Sequence, residues 1–362
     1  MRSMADTLER LARLRGKQAG PTPASRLKRL DGFGSNPGAL SGWCHVPSQL
    51  PKAPALVVVL HGCTQTAAGY DTGSGWSKLA DDFGFAVLFP EQTRANNANL
   101  CFNWFNRDDI ARDSGEALSI RQMIAAMIAA HAIDQRRVYV TGLSAGGAMA
   151  NVLLACYPDL FAGGAIIAGL PYAIAETVPE AFDRMRGHGL PGTAVLQERL
   201  KSASTHQGPW PTVSIWHGSS DQTVAMANAT ATVEQWRGVH GAAAKPAASE
   251  SIGGHKCTTW RDHGGEDAIT LYQITGMAHG TPIDGKTGYG TSAPFMLDVG
   301  FSSTLHIARS WGLIASFDRM ETSTNDGRNE GSADVAQTSP PARTDAITSV
   351  IERALRSAGL MR

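Results

Sequence analysis

The chain has 362 residues, 43% of them hydrophobic, and its 32 Lys and Arg residues balance 32 Asp and Glu residues. This length supports one large domain or two ordinary ones, and the balanced charge excludes the overall field that favours nucleic acid or anionic membrane surfaces. No apolar run reaches the roughly 18 residues of a membrane-spanning helix, so no transmembrane segment is predicted.

A basic N-terminal arm comprises residues 1–35. Its first 20 residues contain arginines throughout and no continuous apolar core. They do not resemble a secretory signal, so a cytoplasmic protein is predicted, or a secreted one if the chain is a processed form. Leu8, Leu11 and Leu14 recur at helical spacing and predict a short amphipathic helix that packs on the body of the protein or on a second subunit of a homo-oligomer. Attachment to a membrane is the less favoured alternative, because the apolar face is narrow.

Residues 36–316 show alternating strand and helix patterns. Strands are predicted at 38–46, 55–60, 85–89, 138–140, 164–168, 212–216 and 269–275, and helices at 76–83, 114–131, 145–157, 193–202, 225–239 and 301–314. This alternation predicts an α/β domain with a mostly parallel central sheet and helices on both faces. Ligands of such sheets bind at the carboxyl ends of the strands. Residues 171–211 carry few periodic signals and are predicted to form a cap or substrate-side segment.

Two further segments follow the predicted domain. Residues 317–343 are polar and are predicted to form a tether. Within residues 344–362, apolar side chains share one helical face, which predicts an amphipathic helix that docks on the body, a partner subunit or another protein.

A G-x-S-x-G pattern, Gly142-Leu143-Ser144-Ala145-Gly146, follows the strand at 138–140 and precedes a predicted helix. Strand, tight turn and helix form the context of a nucleophile elbow, which predicts Ser144 as a catalytic nucleophile. The competing interpretation is a plain Gly-rich turn, because the chain contains 39 glycines.

A serine nucleophile needs a base, and the base needs an orienting acid. Asp221 follows the strand at 212–216, and His279 follows the strand at 269–275, in the order Ser, acid, His. We therefore predict Ser144, Asp221 and His279 as a catalytic triad. Alternatively Asp221 is a helix cap. His217 precedes Asp221 on the same loop and is interpreted as structural.

The tetrahedral intermediate of acyl transfer needs two hydrogen-bond donors for its oxyanion. We predict the backbone N–H groups of Ala145 and Cys63, the latter because Gly62 permits a sharp turn after the strand at 55–60. Cys63 and Cys101 lie at the same end of the sheet and are candidates for a disulfide, although two free thiols are expected in a reducing cytoplasm. Trp104 either lines the acyl pocket or anchors its loop.

No metal site or cofactor is predicted, because the five cysteines match no zinc-binding pattern.

Together the segments HGCTQTA, FPEQTRANNANLCFNWF, GLSAGGAMA and GMAHGTP resemble the catalytic domain of short-chain polyhydroxyalkanoate (PHB) depolymerase-type esterases, over residues 38–313. The resemblance implies an α/β-hydrolase fold, the triad Ser144, Asp221 and His279, and an oxyanion hole at Cys63. It also implies esters of short 3-hydroxy acids as substrates, with acetyl or feruloyl esters for near relatives. Trp104 and Gln65, which lie within these motifs, are assigned to substrate binding.

We therefore predict a cofactor-free serine esterase that acts through an acyl-enzyme on 3-hydroxybutyrate oligomers or polyester. A small acyl or feruloyl esterase and an amidase or peptidase on the same triad are the alternatives. A non-catalytic binding protein is disfavoured by the complete set of catalytic residue types. The chain shows neither the export signal nor the polymer-binding domain of the secreted polymer-degrading members, which weakens solid polyester as the substrate.

Overall fold

A mostly parallel sheet forms the centre of the computed structural model, which describes residues 25–314. The helix predicted within residues 1–20, the tether and the C-terminal amphipathic helix lie outside the described residues. The main sheet contains the following strands: β1 (Lys28–Leu30), β2 (Ser41–His45), β3 (Leu56–Leu60), β4 (Ala86–Glu91), β5 (Val138–Leu143), β6 (Gly163–Ile167), β7 (Thr212–Gly218), β8 (Ala248–Ile252), β9 (His255–Arg261) and β10 (Asp267–Ile274).

The strand order is β1-β2-β4-β3-β5-β6-β7-β10-β9-β8. The six central strands, from β4 to β10 in this order, pair in parallel, whereas β1, β2, β9 and β8 add antiparallel pairings at the two sides. Because the central strands are parallel, the loops after β3, β5, β7 and β10 all leave the sheet at the same end, where the carboxyl ends of these strands lie.

Helices cover both faces of the sheet. Their bounds are α1 (Ala67–Ser74), α2 (Trp76–Phe83), α3 (Arg107–Ile110), α4 (Gly115–His131), α5 (Ala145–Cys156), α6 (Val178–Met185), α7 (Thr193–Ser202), α8 (Met226–His240) and α9 (Ser303–Ser310). A short parallel pair, β11 (Thr281–Ile283) with β12 (Met296–Asp298), follows the main sheet in the chain.

Alternation along β3 shows how the two faces are filled. Leu56, Val58 and Leu60 belong to one buried cluster, with α4, α5 and α8, whereas Val57 and Val59 belong to a second cluster, with α1, α2 and α9. Successive side chains of a strand point to opposite faces. All five positions are therefore apolar, and the prediction of a central strand covered on both sides is confirmed.

Several elements lack a clear sequence signal. Strand β1 lies inside the predicted arm and pairs with β2, and the hairpin β8–β9 extends the sheet beyond β10. Four of the five residues of β8 are exposed, so the strand shows no hydrophobic periodicity and is held by backbone pairing. Helices α1 and α6 were also not predicted. The closing helix, Ser303–Ser310, is shorter than its predicted range of 301–314. Ser302 caps its start, and Gly312 adopts a left-handed φ of 65° just beyond its end.

The segment 171–211 contains α6 and the predicted helix α7. Its residues Ile174, Ala181 and Leu196 share a third buried cluster with Trp104 and Ala145. Ala145 is the first residue of α5 and follows the turn after β5. The segment 171–211 therefore packs at the end of the sheet where the carboxyl ends of the parallel strands lie.

Between residues 25 and 314, no helix combines the length and the hydropathy that crossing a bilayer requires.

A close contact between α5 and the end of β3 yields a prediction. A Cβ at Gly146 would lie 2.4 Å from the carbonyl oxygens of Leu60 and His61, which are backbone atoms that cannot rotate away. We expect Gly146→Ala to lower the free energy of unfolding by about 3 kcal/mol, because overpacking forces the backbone apart.

Gly192→Ala is the matched control, since its Cβ would meet no atom within 4 Å, and it should change stability by less than about 1 kcal/mol. Urea unfolding of both variants measures the difference. Equal stability of the two variants would contradict the close contact.

Candidate active site

Ser144 occupies a strained turn between β5 and α5. Its φ of 56° and ψ of −118° lie in a region that non-glycine residues rarely adopt, at a cost of about 1–3 kcal/mol. The turn is held by hydrogen bonds from Ser144 N to Ile167 O (2.9 Å) and from Ala148 N to Ser144 O (2.8 Å). A Cβ at Gly142 would lie 2.4 Å from Gly146 O, so the turn requires glycine there. The geometry presents Ser144 at the N-terminus of α5.

Asp221 and His279 form a buried hydrogen-bonded pair. His279 Nδ1 lies 2.7 Å from Asp221 Oδ2, and Asp221 Oδ1 accepts hydrogen bonds from Thr223 N and Val224 N, both at 2.9 Å. Burial raises the pKa of Asp221, but the His279 imidazole and the hydrogen bonds outweigh this effect and lower the pKa below its usual value. The ionised carboxylate favours the tautomer with a proton on Nδ1, which leaves Nε2 as a base.

The loops that carry the acid and the imidazole pack tightly together. Ser220 N donates to Met277 O (3.0 Å), and a Cβ at Gly218 would lie 2.2 Å from that same oxygen. In residues 25–314, Ser144 Oγ makes no hydrogen bond. The hydrogen bond between Ser144 and His279 therefore stays a prediction; catalytic hydrogen bonds of this kind often tighten only when substrate binds.

His217 lies beside the acid. Its side chain is fully buried, with Nε2 2.8 Å from Val224 O and 3.6 Å from Asp221 Oδ2. Burial lowers the pKa of His217, so the imidazole is neutral and donates from Nε2 to the carbonyl. This contact secures the turn that also supplies the N–H of Val224 to Asp221.

Two backbone N–H groups are available near Ser144. In the described part of the chain, neither Cys63 N nor Ala145 N donates to a protein acceptor. Ala145 is at the first position of α5, where helical N–H groups lack partners and the helix dipole favours negative charge. The Cys63 loop is held by hydrogen bonds from Gly62 N to Gln65 Oε1 (2.9 Å) and from Thr64 N to Asn99 O (2.7 Å).

A disulfide joins Cys63 to Cys101. The expectation of two free thiols in a reducing compartment is therefore wrong, and the pairing that the sequence left open is present. The physical reason is the shared location of the two loops, which the hydrogen bond between Thr64 and Asn99 also brings together. Cys44, Cys156 and Cys257 are free and buried.

The two residues assigned to substrate binding differ in their surroundings. Trp104 is 5% exposed and belongs to the buried cluster of Ala145, against which Cys63 and Cys101 pack. Gln65 uses both ends of its amide within the protein: Oε1 accepts from Gly62 N, and Nε2 donates to Pro294 O (3.3 Å).

Phe295 was not predicted from the sequence. Its ring lies edge-on to the His279 imidazole with 6.2 Å between centroids, and its carbonyl accepts from Thr281 N (2.8 Å). Its φ of 65° is rare for an aromatic residue. The residues around it show no periodic pattern, so no sequence signal marks this contact.

The arrangement has the chemical capacity for acyl transfer. A buried carboxylate orients an imidazole, and a strained serine stands at a helix N-terminus. The N–H group of Ala145 directly follows this serine, and that of Cys63 lies in the loop after β3. Among residues 25–314, no group of three or more His, Cys, Asp or Glu side chains could hold a metal ion.

Comparison with known proteins gives consistent matches. The family model described as esterase PHB depolymerase matches residues 45–250. The chain is 47% identical over 293 residues to poly(3-hydroxyalkanoate) depolymerase C of Paucimonas lemoignei, covering 80% of this chain and 70% of that protein. It is 28% identical over 270 residues to feruloyl esterase B of Talaromyces funiculosus, covering 72% and 75%.

A solved structure, the acetyl xylan esterase from Aspergillus awamori, matches with a TM-score of 0.67 and 27% identity. The match covers 72% of this chain and 97% of that one.

The disulfide yields a prediction about stability. Cys63 and Cys101 are 38 residues apart, and closing a loop of this length restricts the unfolded chain. We expect reduction to lower the free energy of unfolding by about 2–4 kcal/mol. Urea unfolding with and without dithiothreitol measures the change, and the double variant Cys63→Ser/Cys101→Ser should not respond to the reductant. A wild-type protein whose unfolding midpoint is insensitive to the reductant would contradict the assignment.

Proposed function

The chain belongs to the esterase PHB depolymerase family and is a carboxylic ester hydrolase with the α/β-hydrolase fold, and we propose that it cleaves short 3-hydroxyalkanoate esters through an acyl-enzyme on Ser144. The predicted family, fold and reaction class are thereby confirmed. The site residues and the substrate form the proposal.

The buried Asp221–His279 pair is the observation that carries the proposal. With Nδ1 bound to the carboxylate at 2.7 Å, His279 Nε2 accepts the Ser144 proton as Oγ attacks the ester carbonyl carbon. The negative charge that develops on the carbonyl oxygen is stabilised by the N–H groups of Cys63 and Ala145. His279 then returns the proton to the departing alcohol oxygen. Water, activated by the same imidazole, hydrolyses the acyl-enzyme and regenerates Ser144.

The acyl side of the site is apolar and confined. Trp104, Leu170 and Val224 belong to the buried cluster that includes Ala145, so the acyl group meets closely packed side chains next to the nucleophile. We assign Trp104 to the wall of the acyl pocket. Gln65 is assigned to holding the oxyanion loop rather than to contacting substrate, because both ends of its amide have partners within the protein.

Soluble oligomers fit this part of the chain better than solid polymer. Among residues 25–314, the exposed large hydrophobic side chains are Phe83 (42%) and Val195 (46%), on two different helices. A large contiguous apolar patch would mark a surface for adsorption to a solid polyester, and these two side chains lie on different helices. The identity to a poly(3-hydroxyalkanoate) depolymerase favours 3-hydroxyacyl units. A small acyl or feruloyl ester is the second candidate, on the identity to a feruloyl esterase.

The disulfide also bears on the compartment. Disulfides persist in oxidising environments and are rare in the cytoplasm. The Cys63–Cys101 bond therefore favours an extracytoplasmic location over the cytoplasmic one predicted from the sequence. A homo-oligomer and the boundaries of the domain, with residues 36–316 as its core, stay predictions.

The test is a hydrolysis panel on the wild type and on Ser144→Ala. It contains p-nitrophenyl esters from acetyl to octanoyl, 3-hydroxybutyrate dimer and trimer, amorphous polymer and a matched butyryl anilide. We expect kcat/KM to be highest for the oligomers and the short esters, and Ser144→Ala to lower kcat by about 10⁴-fold or more. Ser202→Ala, which changes an exposed serine on α7, is the control and should retain activity.

Retention of esterase activity by Ser144→Ala would overturn the assignment of the nucleophile. Anilide cleavage at the rate of the matched ester would favour the amidase alternative, and a preference for feruloyl or acetyl esters over the oligomers would favour the second substrate class.

A further inference from the structure

Glu116 is a buried carboxyl group that the proposed mechanism does not use. It is the second residue of α4 and is 0% exposed. Burial and the neighbouring Asp109 raise the pKa of Glu116 to about 8, against the lowering effect of its hydrogen bonds. Because burying an ionisable group is costly unless it is well bonded, the partners of this carboxyl indicate what it does.

All three donors to the carboxyl come from the segment 92–103, between β4 and Trp104. Glu116 Oε1 accepts from Gln92 Nε2 (2.6 Å) and from Asn96 Nδ2 (3.1 Å). Glu116 Oε2 accepts from Asn103 N (2.9 Å). Since Asn103 directly precedes Trp104, the carboxyl sets the backbone position from which the proposed acyl wall projects.

Gln92 connects the carboxyl to the other side of the site. Its Nε2 also donates to Cys101 O (2.9 Å), and its backbone N donates to His61 Nε2 (3.1 Å). Burial lowers the pKa of His61, so the imidazole is neutral. Because Nε2 accepts a hydrogen bond, the proton lies on Nδ1, which is 2.8 Å from Gly62 O.

The network therefore reaches both neighbours of the nucleophile. One branch runs from Glu116 to Asn103 and Trp104. The other runs through Gln92 to His61 and Gly62, next to Cys63. The disulfide links Cys63 to Cys101, whose carbonyl also accepts from Gln92.

We infer that Glu116 is a positioning residue that fixes the loops carrying the Cys63 N–H and the Trp104 side chain in the positions that acyl transfer requires. It acts through these loops and does not touch substrate. The inference rests on the proposed function, because it takes the Cys63 N–H as an oxyanion donor.

A kinetic signature separates this role from a purely structural one. An oxyanion donor interacts more strongly with the transition state than with the bound ester, so its displacement lowers kcat and leaves KM nearly unchanged. Loss of a single oxyanion donor costs about 10²–10³-fold in kcat, and partial displacement costs less.

The experiment compares Glu116→Leu, Glu116→Gln and Gln92→Leu, with p-nitrophenyl butyrate as substrate. We expect Glu116→Leu and Gln92→Leu to lower kcat at least tenfold, with KM within threefold of the wild type. Glu116→Gln should retain more activity than Glu116→Leu, since its amide oxygen can still accept from Gln92 and Asn96, although its NH2 group cannot accept from Asn103 N. Combining the two leucine substitutions should cost little more than either alone, because both break one network.

Ser119→Ala is the matched control. Ser119 is buried one turn further along α4, and its Oγ accepts from Gly38 N (2.8 Å) and donates to Gly115 O (3.1 Å), with no direct bond to Glu116 or Gln92. This variant should lose stability but keep kcat within twofold of the wild type.

A folded Glu116→Leu protein with wild-type kcat would overturn the inference, as would a rise in KM at unchanged kcat. If Glu116→Leu does not fold, Gln92→Leu decides between the same outcomes. Labelling by a fluorophosphonate probe distinguishes a failure of the proposed function from a failure of the role of Glu116. Labelling that persists in Ser144→Ala contradicts the proposed function itself, whereas labelling lost in Ser144→Ala with unimpaired Glu116 and Gln92 variants contradicts only the role of Glu116.

Discussion

The close approach of α5 to the ends of β3 and β5 is the constraint on which the site depends. Gly142 and Gly146 allow the backbones to meet, since a Cβ at either position would lie 2.4 Å from a neighbouring carbonyl oxygen. This contact places Ser144 at the N-terminus of α5 and brings the Cys63 loop, which follows β3, alongside it. The strain in the Ser144 backbone, about 1–3 kcal/mol, is sustained by the packing of the helix and by the hydrogen bonds of the turn.

Electrostatic interactions and hydrogen bonds hold the second part of the site, the Asp221–His279 pair. The carboxylate of Asp221 is kept ionised by the His279 imidazole and by two backbone N–H groups despite its burial. His217 and Phe295 pack around this pair from its two sides. The acid and the base are therefore held mainly by buried contacts, whereas Ser144 Oγ makes no hydrogen bond within the described residues.

The sequence was most informative where residue type and backbone geometry are tightly linked. Continuous apolar runs predicted the central strands, and the glycines around Ser144 predicted the turn, because few other residues fit there. Positions at strand ends were enough to place Asp221 beside His279. The hairpin β8–β9 was missed because its outer strand is exposed and is stabilised by backbone pairing. Glu116 and Phe295 were missed because their roles depend on contacts between distant segments, and local patterns carry no signal for these. The disulfide was disfavoured on the expected compartment, although the topology brings both cysteines together.

We propose that Ser144, His279 and the N–H groups of Cys63 and Ala145 converge on one reacting carbon and its oxygen. A crystal structure of the enzyme inhibited by a short alkyl fluorophosphonate tests this most directly. We expect phosphorus bonded to Ser144 Oγ, with the phosphoryl oxygen about 2.7–3.1 Å from both backbone nitrogens and His279 Nε2 within about 3.2 Å of Oγ. An adduct on another residue, or a phosphoryl oxygen that points away from Cys63 and Ala145, would contradict it.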